Sequence, residues 1–363
     1  MGAWSAALLP TGDVLLFQDG EGMYLYEPGS HTFRHIGSAN TDLFCAGLTL
    51  MADGKLLAVG GHGGEEPFDL FLGLSSAEVF DPWSEVWEQI PDMVGGERWY
   101  PTALTLADGR VLVASGTHRD VPNETLEILD PLEMKWTVVI TQELPMYPWA
   151  AVAPQGDVVF YGPQDESAHF DLLETAFTTA SYRGPGRWGG TGVILDAQTG
   201  RLLAIGGGEP TTQSVDLWDP SQGQWRPTSS MSHVRHHPDS VLLPDGTLLV
   251  VGGHSGHGVS RHPVREEHEI EEAEQGEPIA AEVFDPVTET WQELAISYYG
   301  HGYHSTALLL PDGSVMAAGP LENLEIYQPW YFYEERPEIA SAPEEIDYGQ
   351  SFLLKTSEPS EIS

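Results

Sequence analysis

Apolar residues along this chain come in short runs, each broken by a glycine-containing turn and resumed in a second run that closes on small residues. The unit is plainest in CAGLTLMADGKLLAVGG from Cys45, YPTALTLADGRVLVASG from Tyr100, HPDSVLLPDGTLLVVGG from His237 and HSTALLLPDGSVMAAG from His304. Weaker copies begin at Ser5, Tyr147 and Thr191, making seven in all. An Asp-Gly turn between two β-rich runs predicts a hairpin, because glycine supplies the positive φ that the turn requires. Most of these hairpins are followed by a second unit: two apolar residues, Asp-Pro, four more residues and an aromatic. It reads EVFDPWSEVW at 78–87, EILDPLEMKW at 127–136, DLWDPSQGQW at 216–225 and EVFDPVTETW at 282–291, with a degenerate YLYEPGSHTF at 24–33. Asp and Pro set the turn of a second hairpin, and the closing Trp or Phe offers apolar surface to pack between neighbouring sheets. Two hairpins make one four-stranded blade.

The copies are spaced about 40 to 65 residues apart, the range of propeller blades. The expected fold is all-β: a seven-bladed kelch-like β-propeller of four-stranded antiparallel blades over residues 1–335. No segment sustains a 3.6-residue periodicity, which argues against a helical solenoid. Two facing β-sandwiches would give regular strand spacing but not one residue offset kept in every copy. With 363 residues, 41% of them hydrophobic, the chain can bury a substantial core in a single large domain. No apolar run approaches the ~20 residues that cross a bilayer. The opening MGAWSAALLPTGDVLLF enters the first repeat at once, without a basic n-region or cleavage pattern. Either the protein stays where it is made or its natural start lies upstream.

Charge narrows the partners. Asp and Glu number 55 against 15 Lys and Arg, a formal charge of −40. Such a chain repels nucleic acid and anionic membrane, and neither is expected as a partner. Adaptation of the surface to high salt is the expected reason, with a cationic partner as the alternative. The densest acidic run, VREEHEIEEAEQGE from Val264 to Glu277, reads as a long solvated loop and lacks the spacing of a calcium loop. His254, His257, His262 and His268 fall irregularly in this Gly-rich region and read as solvent-exposed.

Candidate chemistry follows from the register of the repeat. Cys45, Tyr100, Tyr147, His237 and His304 each stand nine residues before the turn glycine of their copy. In a propeller the innermost strand of each blade lines the axis, so residues that begin these strands meet at the mouth of the central channel. Cys, Tyr and His meeting there look like a metal site. Cys45, the only cysteine, has no partner for an intrachain disulfide. It and Tyr100 come from consecutive blades and should be neighbours across one junction. On spacing alone, a small thiol packed beside an aromatic and a reactive pair are equally compatible. Trp99 and Arg98, which directly precede Tyr100, are candidates to cover or orient it. Tyr147 and His237 are candidates to line the pocket, and each of the four has a packing role as its alternative. His62 matches His118 one blade on and reads as loop chemistry.

With HGYHSTALLLPDG at 301–313, LFCAG at 43–47 and RWYPTALTLADGRVL at 98–112, the chain resembles the copper radical oxidases, the galactose oxidase and glyoxal oxidase family. The RWYPT form looks closer to the glyoxal oxidase branch, and the resemblance covers essentially the whole chain. It implies a copper centre with a protein-derived Cys-Tyr radical cofactor. Carried over residue by residue, Cys45 matches the cross-linking cysteine, Tyr100 its tyrosine partner, Tyr303 the axial tyrosine and His304 the first histidine ligand. Copper(II) favours tetragonal N and O ligation, which imidazole and phenolate provide. The implied reaction oxidises an aldehyde, primary alcohol or carbohydrate with O2 to give H2O2, with Tyr303 as general base and the Tyr100 radical abstracting hydrogen. The family is mostly exported, so an extracellular or cell-surface location is implied, and a monomer is expected.

The chain also departs from the family pattern. Residues 336–363, ending SFLLKTSEPSEIS, resemble only the opening of the C-terminal β-sandwich domain that supplies the second histidine ligand. The hairpin after Tyr100 ends in Ser115, Gly116, Thr117 and His118, with no tryptophan to stack over a cross-link. Two rival readings stand beside the oxidase: a non-catalytic kelch-like scaffold, and a propeller hydrolase or lyase acting on polysaccharide. No nucleophile elbow, phosphate-cradling loop or His-Glu-x-x-His motif supports another class.

Overall fold

In a computed structural model, residues 3–18, 22–64, 72–255, 276–320, 323–334, 338–343 and 351–356 are described. The fold is a seven-bladed β-propeller, with each Asp-Gly hairpin forming the inner pair of strands of a blade and each Asp-Pro hairpin the outer pair. Blade 3 shows the plan. Thr102–Thr105, Val111–Ala114, Thr125–Asp130 and Lys135–Thr141 run antiparallel in sequence order from the axis outward. Six sheets have four strands; the seventh has three among the described residues, Thr306–Leu309, Val315–Gly319 and Asn323–Tyr327. That is one fewer than the four expected, because the chain passes after Tyr327 into the short 3₁₀ turn Trp330–Tyr333. The ring closes where the Ala3 N–H donates to the Gly319 carbonyl at 2.8 Å. Beyond the propeller, Ile339–Ser341 pairs with Lys355–Thr356 in a separate two-stranded ribbon.

The second strand of each blade has an apolar, buried core, as in Leu56–Val59 and Val111–Ala114. It is sandwiched between the sheets of adjacent blades, so the core is a set of inter-blade layers rather than one central cluster. Met51, Leu57 and Val79 of blade 2, for instance, pack with Val111, Val113 and Trp136 of blade 3. The repeat tryptophans sit in these layers, and Trp136 Nε1 donates to the Pro91 carbonyl at 2.8 Å, which satisfies the polar atom that burial would otherwise strand. The Asp of each Asp-Pro turn acts as expected: Asp130 Oδ1 accepts from the Leu132 and Glu133 amides at 2.9 and 3.2 Å.

The residue that opens the same module has a role the pattern did not suggest. Glu78, Glu127 and Glu282 are fully buried on the third strands, where each accepts backbone N–H groups of the loop entering the blade. Glu127 takes Val94 and Gly95, Glu78 takes Asn40 and Thr41, and Glu282 takes Ser232 and His233. In two of these blades an arginine joins the carboxylate: Arg98 with Glu127 at 2.8 Å and Arg235 with Glu282 at 3.0 Å, while Arg187 pairs with Asp216 at 2.5 Å in blade 5. Each guanidinium also donates to the carbonyl closing its second strand, of Ser115, Gly252 and Gly206 respectively. Burial lowers the Arg98 and Arg235 pKa values, partly offset by their carboxylates, so these pairs hold charge at a desolvation cost.

Removing one member of such a pair is expected to be far worse than removing both. Arg98→Leu leaves Glu127 buried and uncompensated and should cost about 3–5 kcal/mol in urea denaturation, whereas Arg98→Leu with Glu127→Leu should regain much of that loss. Equal losses in the single and double variants would contradict this account of the anchor.

Candidate metal centre at the channel mouth

In blades 2 to 7 one residue at the start of the inner strand, two positions before it or, for His237, its second residue, has an unusual backbone. Cys45, Tyr100, Tyr147, His237 and His304 have φ of 59°, 59°, 54°, 56° and 60°, and Gly189 in blade 5 has 67°. Left-handed backbone in a non-glycine residue costs on the order of 1 kcal/mol or more, so the surrounding contacts must impose it. Part of the constraint is a chain of backbone bonds around the mouth: the Tyr100 N–H donates to the Cys45 carbonyl at 3.0 Å and the Tyr147 N–H to the Tyr100 carbonyl at 3.2 Å. The rest comes from the anchors, since Arg98, Arg187 and Arg235 each lie two residues before a left-handed position. The small pairs that end the second strands complete it. Gly61 and Gly207 donate to the Arg98 and Arg235 carbonyls at 3.1 and 2.7 Å, and a Cβ on Gly60 would stand 2.4 Å from the Arg98 oxygen.

Cys45, Tyr100, Tyr303 and His304 are thereby brought together from blades 2, 3 and 7. The Tyr100 and Tyr303 hydroxyls are hydrogen-bonded, and the Tyr100 hydroxyl lies 3.1 Å from His304 Nε2. Cys45 Sγ is 3.9 Å from the same nitrogen. The thiol also interacts with the Tyr100 phenol and the Trp99 indole, while burial pushes it well above its ordinary pKa. Burial raises Tyr100 strongly too, helped by repulsion from Cys45 and Tyr303. His304 is pushed down to about 4 by burial, with a backbone hydrogen bond to Trp4 working in the opposite direction. Burial therefore favours the neutral forms of the Tyr100 phenol, the Cys45 thiol and the His304 imidazole on one spot. Two phenol oxygens and an imidazole nitrogen within hydrogen-bond reach fit the N,O ligation that copper(II) favours.

Aromatic rings surround this group. Trp99 sits edge-to-face on Tyr100 with centroids 4.3 Å apart. Trp4 and Phe44 pack on His304 at 4.9 and 5.0 Å. Neither was singled out from the sequence, although Trp4 follows directly the position nine residues before Gly12. Tyr147 packs on Tyr100 at 5.6 Å and is 52% exposed, and His237 packs on Tyr303 at 5.1 Å. Both border a cavity of about 1080 Å³ that runs down the channel. Trp99 and Arg98 do not: Trp99 touches the Tyr100 ring without lining the cavity, and the Arg98 side chain is fully buried against Glu127, which corrects the expectation of both as pocket residues. His254 also differs from expectation. It is 6% exposed on the end of a strand, where it pairs across the sheet with His236. His257, His262, His268 and most of the acidic run lie outside the described residues.

Comparisons with known proteins agree with this architecture. The kelch motif family matches residues 49–94. The chain is 24% identical to a galactose oxidase of Gibberella zeae over 85% of this chain and 48% of that protein. It is 23% identical to the aldehyde oxidase GLOX1 of Arabidopsis thaliana over 87% of this chain and 58% of that protein. A solved structure described as a novel fungal alcohol oxidase of the AA5 family in complex with copper superposes with a TM-score of 0.80 at 21% identity, covering 99% of this chain and 82% of that one. The resemblance to copper radical oxidases on a kelch propeller therefore extends from the quoted motifs to the whole fold. The chain spans between 33% and 66% of the length of the curated relatives it matches.

Asp239, two residues after His237, borders the same cavity and accepts from Ser305 Oγ at 2.7 Å; burial raises its pKa to about 7. A folded-state pKa above the ordinary value means that stability is highest with the carboxyl protonated and is lost as pH rises from about 4 through about 7. Asp239→Asn cannot ionise, so its melting temperature relative to the parent protein should rise between pH 5.5 and pH 8.5. A difference that stays constant across that range would show that Asp239 is not held protonated by the fold.

Proposed function

We propose that this propeller, which resembles the copper radical oxidases in sequence and fold, is a copper radical oxidase of the glyoxal oxidase or galactose oxidase type. The observation that carries the reading is the meeting of Cys45, Tyr100, Tyr303 and His304 at one point of the channel mouth, from blades far apart in sequence. Tyr100 Oη, Tyr303 Oη and His304 Nε2 are the atoms that would hold the metal. Copper bound there would supply a one-electron acceptor and a Lewis-acidic position for a substrate oxygen. A thioether between Cys45 Sγ and the Tyr100 ring would lower the potential at which Tyr100 holds a radical. Its formation removes one hydrogen from sulfur and one from the ring, and dioxygen is the oxidant that accepts them.

In this reading Tyr303 accepts the proton of the substrate hydroxyl at Oη, and the oxidised Tyr100 takes a hydrogen atom from the adjacent carbon. The net change is an alcohol to an aldehyde, or a hydrated aldehyde to an acid, with O2 leaving as H2O2. Trp99 packs against the Tyr100 ring, and Tyr147 and His237 border the cavity beside it. The substrate is a small aldehyde, primary alcohol or carbohydrate that enters through the cavity. The same reading takes residues 336–363 as the start of a β-sandwich domain, with the second histidine ligand supplied from it. It also places the protein outside the cell or on its surface, as a monomer whose acidic exterior suits high salt and does not engage nucleic acid. Among the described residues no helix is long and apolar enough to cross a membrane.

Aerobic loading with copper is expected to lower the intact mass by two hydrogens and to yield a peptide joining Cys45 to Tyr100. Cys45→Ser should show no such change, and Tyr303→Phe should keep the cross-link while losing about 10²-fold or more in peroxide production from aldehydes and alcohols. A Cys45 that alkylates freely after copper loading would favour the scaffold reading instead.

A further inference from the structure

Blade 6 carries a second group of potential donors that the proposed oxidase centre does not use. His236, His237 and His254 each present a ring nitrogen, and these atoms all lie within 4.8 Å of one another. The fold explains how neighbours in sequence converge. Successive residues of a regular strand point to opposite faces, but the left-handed backbone at His237 breaks that alternation. The rings of His236 and His237 consequently meet edge-to-face at 4.3 Å. His254 arrives from the antiparallel strand directly opposite His236, with ring centroids 5.3 Å from His236 and 5.9 Å from His237.

Packing holds the three rings in place. A Cβ on Gly189 would fall 2.3 Å from the His236 ring, and one on Gly276 would fall 2.4 Å from His254 Cβ, so two glycines make room for the group. His236 Nδ1 is buried with no hydrogen-bond partner, an expensive state for an imidazole nitrogen that a ligand would relieve. Glu209 lies close enough to His236 to favour positive charge there. His237 borders the channel cavity, whereas His236 and His254 stand behind it.

We infer that His236, His237 and His254 form a second metal site, distinct from the Tyr100, Tyr303 and His304 group, for a divalent ion that prefers imidazole, of which zinc is the representative. In tetrahedral coordination with Zn–N of 2.0–2.1 Å, ligand nitrogens stand about 3.4 Å apart, so side-chain rotations that close the present separations by an ångström or so complete the set. Three protein ligands leave a fourth position for water or a ligand, the pattern of an open rather than a purely structural zinc site. Carboxylate-preferring ions such as calcium and magnesium do not suit three nitrogen donors.

The test uses the chain with Tyr303→Phe and His304→Ala, which removes two of the three proposed copper donors, including its only nitrogen, and separates the result from the oxidase reading. After chelation, zinc is titrated at pH 8 against a chromogenic chelator. One equivalent should bind, and adding His254→Ala or His236→Ala should weaken binding by about 100-fold or more while the circular dichroism spectrum is retained. Zinc K-edge X-ray absorption on the protein with an intact triad should show imidazole scattering from about three histidines, a readout that needs no triad variant to fold. Zinc binding that is absent, that survives both histidine substitutions unchanged, or that shows no multiple-imidazole scattering would overturn the assignment.

Discussion

The molecule depends on a buried ion pair placed two residues ahead of a strained backbone position. In blades 3, 5 and 6 the guanidinium of Arg98, Arg187 or Arg235 is clamped between a third-strand carboxylate and the carbonyl ending the second strand. Clamping the arginine fixes the path of the next two residues, and that path places the ring residue in the left-handed region. Glycine pairs then let the adjoining blade press against the arginine carbonyl. Desolvated charge, close backbone approach and local strain are thus parts of one device, and its product is a side chain aimed at the channel mouth. A salt bridge of this kind adds little net stability but strongly disfavours alternatives in which either charge is left alone.

The same device explains how a chain with few cations uses them. Four of the arginines, Arg98, Arg183, Arg187 and Arg235, are buried among the described residues. The exterior is therefore even more one-sided in charge than the composition indicates. A negative exterior draws cations toward the openings of the channel and discourages anionic macromolecules. Inside the mouth the picture inverts, because burial keeps phenols, thiol and imidazoles in their neutral forms. Neutral N and O donors in an aromatic wall, beneath an anionic exterior, favour capture of a metal ion over any other small charged species.

The two donor groups differ in how the fold makes them. Cys45, Tyr100 and His304 converge because three blades deliver the same repeat position to one axis, and Tyr303 joins them as the residue before His304. His236, His237 and His254 converge within a single blade, through cross-strand register and one break in side-chain alternation. His237 belongs to both settings: its ring packs on Tyr303 on one side and against His254 on the other. Events at one group are thereby in physical contact with the other.

The seven repeats, the two hairpins of each blade and the residues at the ring offset were legible in the linear chain, because a period of two and a glycine-dependent turn are local properties. The pairing of Cys45 with Tyr100 was legible too, since consecutive blades must be neighbours. The acids at 78, 127, 216 and 282 were visible as a recurring carboxylate but not as anchors, since that role depends on a partner brought from a distant loop. Arg98 looked like a pocket residue for the same reason. His254 looked exposed because its sequence neighbours are glycine, serine and acid, and only cross-strand register places it against His236. Sequence alone thus determined which elements form and which positions are equivalent. Tertiary structure alone decided which way each side chain faces, because that depends on backbone conformation and on packing partners far away along the chain.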